Sequence, residues 1–200
     1  MMKKFGIGIA LGVVGTVLLA IIGWVTVVYT GAYNVAASDP HADPVRWSLD
    51  TTMHRSVARR AGGIDIPANP SRALLAEGAG HYAESCVHCH GAPGQQPSKW
   101  SRGMRPRPPH LMEAARKWSP EEIHWIVSNG IKMTGMPAFG SHHSAEEILA
   151  LTAFVGALPG LSADDYRTLT GSDQQDHRHS ASPAASDANA ESKAKAPAQH

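Results

Sequence analysis

Apolar residues run along this chain in two different rhythms. The first is unbroken. After Lys3 and Lys4 no charged residue occurs from Phe5 to beyond Thr30. That exceeds the roughly 20 residues a membrane-spanning helix needs, and the run is too long for the usual signal-peptide apolar region of about 7 to 15. The second rhythm is helical. Leu74, Leu75, Gly78 and Tyr82 recur at helical spacing toward Cys86, behind Asn69 and Ser71, which flank Pro70 as cap and first-turn proline. Ser119-Pro120-Glu121-Glu122 reads as a capping box with proline at the first position. It opens a helix carrying Ile123, Ile126 and Val127 that stops near Gly130. Ser144-Ala145-Glu146-Glu147 opens another, with Ile148, Leu149, Leu151, Thr152 and Val155 on its apolar face and Pro159 as its stop. A short turn follows over 162–169. Almost nothing reads as strand, so the expected class is all-α.

The connecting segments sharpen this organisation. Residues 45–61 predict a helix with Trp47, Leu49, Met53 and Val57 on one side and Arg55, Arg59 and Arg60 making it basic. Two readings stand for it: an element that docks headgroups or a partner, and a solvated helix leaning on the domain that follows. Residues 91–111 are rich in Gly and Pro and predict a loop, because they can sustain neither a helix nor a central strand. From Gly171 to His200 the chain is Ser, Ala, Asp, Pro and Lys with hardly any apolar bulk. That composition predicts disorder, with His177, His179 and His200 in a solvated tail. The expected division is therefore a cytoplasmic 1–4, a transmembrane 5–30, a connector 31–68, a helical domain 69–170 and a tail 171–200.

The 18 Lys and Arg nearly balance the 17 Asp and Glu, for a net charge of +1. That argues against a nucleic-acid binder, which wants a concentrated basic surface. Locally, Lys99, Arg102, Arg105 and Arg107 stand together without an acid. They are open to three readings: contacts, with Trp100, to the carboxylates of a bound group; docking of an acidic partner; or a solvated loop.

The chemistry concentrates in Cys86-Val87-His88-Cys89-His90, which holds both cysteines of the chain. This C-x-x-C-H spacing reads as attachment of one covalent haem c. Two thiols can bond to the two porphyrin vinyl groups, and the next residue, His90, falls under the iron as proximal ligand. A thioredoxin-like pair wants a βαβ context, and a structural zinc site wants four ligands, although His88 and His90 offer a cramped set. A sixth ligand is expected downstream, in Asn129 to Gly140. Met136 is the first candidate, because Pro137 biases it out of helical geometry and Gly135 lets the backbone run close to a flat ring. Met133 is the runner-up. Met104 and Met112 read as filler or surface, and Met53 and His54 as remote candidates.

These residues resemble those of class I c-type cytochromes of the bacterial membrane-anchored, monohaem kind, over roughly residues 70–170. Gly78, Tyr82 and Cys86 match the family's four-residue steps, Pro109-His110-Leu111 its Pro-x-Leu, and Thr134 to Phe139 its axial-methionine loop. The resemblance implies a cytochrome c-like haem domain of three to four helices. It further implies that the Pro109 carbonyl accepts the His90 Nδ1 proton, that Leu111 packs on the porphyrin, and that Phe154 crosses near Gly78. Pro106 and Pro108 compete with Pro109 for that role. By the positive-inside rule the lysines are cytoplasmic, so the haem domain is expected in the periplasm, on a single-pass anchor in the bacterial inner membrane. Val35-Ala36-Ala37 leaves cleavage open. No nucleophile, acid–base pair or substrate pocket is visible. The expected function is single-electron transfer between membrane enzymes, either as a carrier exchanging electrons with redox partners at the membrane or as the electron-transfer subunit of a larger oxidoreductase. A haem sensor is a third reading, against which Met136 speaks.

Overall fold

The computed structural model describes residues 2–171; the tail and its three histidines lie outside the described residues. These residues are helical, with one isolated bridge between Ala92 and Gln95 and no strand among them. The all-α class expected from the sequence is therefore the observed one. Two compact units divide at Leu49/Asp50, inside a continuous helix.

The first unit contains α1 (Met2–Thr30), whose 26-residue span Phe5–Thr30 has a mean hydropathy of 2.6 and no buried residue. Its length and apolarity suit a single membrane crossing. After it, Asn34 Nδ2 donates to Asp39 Oδ2 at 3.0 Å and the Tyr33 and His41 rings stack. The chain then enters α2 (Asp43–Arg60).

In the second unit the later part of α2 buries Val57, and His54 stacks on Trp118 with ring centroids 4.7 Å apart. Six further helices follow: α3 (Arg72–Ser85), α4 (Val87–His90), α5 (Leu111–Ala114), α6 (Pro120–Asn129), α7 (Ala145–Ala157) and α8 (Ala163–Thr170). The N-cap of α3 is Ser71, whose hydroxyl accepts from the Leu74 amide at 3.2 Å. Pro70 consequently lies one residue before the cap instead of in the first turn. Both anticipated capping boxes form, Ser119 with Glu122 and Ser144 with Glu147, and Ser162 with Asp165 makes a third at α8. A single 3-10 turn, Trp100–Gly103, interrupts the otherwise irregular course of residues 91–110.

Helices α3 and α7 make the most extensive contact of the unit, and α6 and α8 pack on the same pair. The core is aromatic at its centre. Tyr82, Phe154 and Tyr166 lie with ring centroids 5.2 to 6.5 Å apart, and Tyr82 and Phe154 are fully buried. Tilted and edge-on pairs of this kind add to their burial energy. Ile148, Leu151, Val155, Leu158 and Ile123 complete the cluster. At the crossing, a β-carbon on Gly78 would stand 2.1 Å from the Ala150 carbonyl oxygen and 2.8 Å from Phe154 Cβ. Only a residue without a side chain lets the two backbones approach so closely. Gly78→Ala should therefore force the helices apart and cost about 3 kcal/mol, read as a lower denaturant midpoint at an unchanged slope; unaltered stability would show that the crossing yields easily.

Candidate functional site

The C-terminal end of α3 presents the cysteine pair. Cys86 is both the C-cap of α3 and the N-cap of α4, so that Cys86, Cys89 and His90 occupy a single turn, closed by the Cys89 and His90 amides donating to the Cys86 carbonyl at 3.1 and 3.0 Å. Both thiols are free. Cys86 is buried and Cys89 half-buried. Burial, with the Cys89 thiol beside it, pushes the Cys86 thiol up to about 12. The turn ends at Gly91, with φ of +70°, where a β-carbon would meet the Gln95 carbonyl oxygen at 2.8 Å. Tyr82, one turn before Cys86, donates its hydroxyl to the Gly91 carbonyl at 2.5 Å. Burial raises the phenol far above its ordinary range, so it remains a donor. Tyr82 thus fastens both ends of the attachment turn to the core.

His90 Nδ1 donates to the Pro109 carbonyl at 2.8 Å. That bond spends one ring nitrogen and leaves Nε2 with its lone pair. Burial lowers the pKa of His90, against the opposing pull of the Pro109 carbonyl, and favours the neutral imidazole that a metal requires. Pro106 and Pro108 are not the partner. Two residues on, Leu111 begins α5 half-buried against the core cluster. His88 points outward. Among the described residues no three His, Cys, Asp or Glu side chains converge to hold a metal ion.

The methionine loop is a separate, tightly closed piece of chain following α6. Helix α6 stops at Gly130 (φ +63°), where a β-carbon would fall 2.6 Å from the Met136 carbonyl oxygen. The Ile131 amide donates to that carbonyl at 3.2 Å. The Thr134 hydroxyl donates to the Ile131 carbonyl at 2.7 Å and accepts from the Met136 amide at 3.0 Å. Met136 is half-buried, whereas Met133, at φ +61°, is 90% exposed. Of the remote candidates, His54 is engaged by Trp118 and by the Asp50 carbonyl, and Met53 is half-buried. Lys99, Arg102, Arg105 and Arg107 are all exposed, as is Trp100.

The donor set fits a covalently bound haem: two free thiols on one turn, a half-buried imidazole with one nitrogen fixed and the other available, and a thioether on a closed loop. Two features were missed from the sequence. The Tyr82-to-Gly91 bond had its signal in the family spacing but no indication of its partner. The seating of Met104 against Gly135, where its methyl occupies the space of a Gly135 side chain, had none.

Residues 73–155 match the family model described as cytochrome C oxidase, cbb3-type, subunit III. The match supports a c-type cytochrome domain, an electron-transfer module with covalent haem. Neither the curated proteins nor the solved structures yield a match.

The Tyr82 bond generates a direct prediction. Tyr82→Phe leaves the buried Gly91 carbonyl without its partner and should lower stability by about 1–3 kcal/mol, measured by denaturant unfolding. Unchanged stability would mean that water replaces the hydroxyl.

Proposed function

We propose that the chain is a membrane-tethered monohaem cytochrome c whose haem domain faces the periplasm and carries single electrons between membrane enzymes. One observation carries the reading: the C-x-x-C-H turn ends in an imidazole whose Nδ1 is fixed by Pro109 while its Nε2 is left available. Cys86 and Cys89 would hold one haem c by two thioether bonds, with His90 and Met136 as the iron's axial ligands and Leu111 against the porphyrin. When bound, that group supplies a one-electron couple.

The chain's own residues supply the rest. Pro109 fixes the ring plane of His90 and raises its basicity. A thioether from Met136 would favour the reduced state relative to a second imidazole. His90 and Met136 would both be held by the protein as ligands, which suits transfer of an electron without binding of substrate; no residue is assigned a catalytic role. The anchor reading rests on the apolar span Phe5–Thr30 and on Lys3 and Lys4 before it. Exposed Lys99, Arg102, Arg105 and Arg107 would speed encounter with an acidic redox partner.

A second reading is favoured by the description of the matching family, an oxidase subunit. On it the chain is the electron-transfer subunit of a membrane oxidase and the chemistry of oxygen lies on other chains. Purification in mild detergent separates the two: a lone chain supports the carrier, and stoichiometric co-purification of an oxidase supports the subunit.

Three measurements test the haem assignment. A pyridine haemochrome assay should report one haem c per chain, and none in Cys86→Ser/Cys89→Ser. That variant should also lose much of its helical circular dichroism, because the haem forms a large part of a small core. Met136→Ala should abolish the weak long-wavelength thioether-to-iron absorption band of the oxidised protein; a retained band would place another ligand on the iron. The rate of reduction by an acidic partner should fall as salt rises, and a rate indifferent to salt would remove the docking role of the basic loop.

A further inference from the structure

The methionine loop is closed by its own hydrogen bonds, yet a side chain from a distant segment also rests on it. Met104 lies at the end of the 3-10 turn Trp100–Gly103, and its terminal methyl fills the hollow beside Gly135, 1.9 Å from where a β-carbon on that glycine would stand. Its sulfur is 3.7 Å from the same point, and apart from the chain neighbours of Gly135 nothing besides Met104 comes within 4 Å of it. The segment bearing Met104 is itself tied to the attachment turn. The Ser98 amide donates to the His88 carbonyl at 2.9 Å, the buried Ser101 hydroxyl donates to the Ser98 carbonyl at 2.8 Å, and the Met104 amide donates to the Ser101 carbonyl at 3.2 Å. A continuous path therefore runs from within the C-x-x-C-H turn, through residues 98–104, to the residue preceding Met136.

We propose that Met104 is a positioning residue for the iron's sixth ligand: its thioether side chain caps Gly135 and holds the 131–137 loop closed, so that Met136 is retained on the metal. This rests on the assignment of Met136 as that ligand. Methionine suits the task because an unbranched, polarisable side chain fills an irregular gap over a bare backbone. Glycine suits the other half, because any side chain at 135 would occupy the same space. The consequence is energetic. An exogenous ligand reaches the iron only from the open form of the loop, so its apparent affinity scales with the fraction open. A contact that favours closure weakens that ligand and also keeps the potential high by retaining the thioether.

The test uses the haem-loaded full chain, with imidazole as the probe. Met104→Ala should bind imidazole about tenfold more tightly than the parent protein and lower the midpoint potential, with haem content and far-ultraviolet circular dichroism unchanged. Met104→Leu, which keeps the bulk and cannot ligate, should restore the parent values. Gly135→Ala should evict the Met104 side chain and reproduce Met104→Ala. The double variant should be no weaker than either single one, since the colliding methyl is gone. If Met104→Ala fails to acquire haem, Gly135→Ala carries the same comparison.

Parent-like imidazole affinity in Met104→Ala and in Gly135→Ala, with the long-wavelength band abolished by Met136→Ala, would overturn the role of Met104 and leave the ligation intact. A long-wavelength band lost in Met104→Leu as well would show that the sulfur itself is required, which also overturns positioning by shape. A band that survives Met136→Ala would instead overturn the ligand assignment on which the proposal stands.

Discussion

The close crossing of α3 and α7 at Gly78 governs the geometry of everything downstream of it. Because the Ala150 carbonyl approaches to where a side chain would stand, α3 is held flush against α7. Tyr82, one turn further along, is driven into the aromatic centre beside Phe154. With the ring fixed there, its hydroxyl can reach only a narrow range of acceptors, and the Gly91 carbonyl is the one it takes. That bond spans Cys86 and His90. The direction in which the cysteine pair faces is thus a consequence of helix packing, transmitted through one buried phenol. A helix shift of a few tenths of an ångström at Gly78 would be felt at the thiols, since packed cores move as units.

The two sides of the candidate site are built differently. On the imidazole side, a helical turn is continuous with the core, and the His90 ring is fixed by a carbonyl from residue 109, nineteen positions away. On the thioether side, the loop after α6 closes on itself over six residues, with Gly130 admitting the Met136 carbonyl and Thr134 bridging the ends. Both sides meet the segment 91–111, which reads in the sequence as Gly- and Pro-rich connector. In the structure that segment carries Pro109 to the imidazole and Met104 to the thioether loop. A stretch with little regular secondary structure is therefore the part that touches both halves.

What was legible in the sequence follows from range. Capping boxes, the C-x-x-C-H turn and the glycine ending α6 are local: each partner lies within a few residues of the other, and the residue types announce the geometry. The choice of Ser71 over Asn69 as cap was a local ambiguity, settled by which side chain the Leu74 amide faces. The Gly78 crossing and the Pro109 bond came from family resemblance, since nothing in the spacing of residues 78 and 154, or 90 and 109, specifies contact. Met104 carried no signal of either kind. A methionine in an irregular segment looks like filler, and its value appears only when the fold brings Gly135 to it.

The unequal construction of the two sides decides where the site yields first. Opening the imidazole side requires undoing the Tyr82 bond, the Pro109 bond and the burial of Cys86 and Val87, all of them attached to the main core. Opening the thioether side requires that a short loop peel from the end of α6 and from Met104. Its bonds are short-range and partly exposed, and such segments sit at the low end of local stability. On the proposed ligation, exchange at the iron therefore proceeds through the 131–137 loop while the attachment turn stays fixed. Any contact reaching that loop from elsewhere in the fold has leverage out of proportion to its size, because it acts on the step with the smallest free energy of opening.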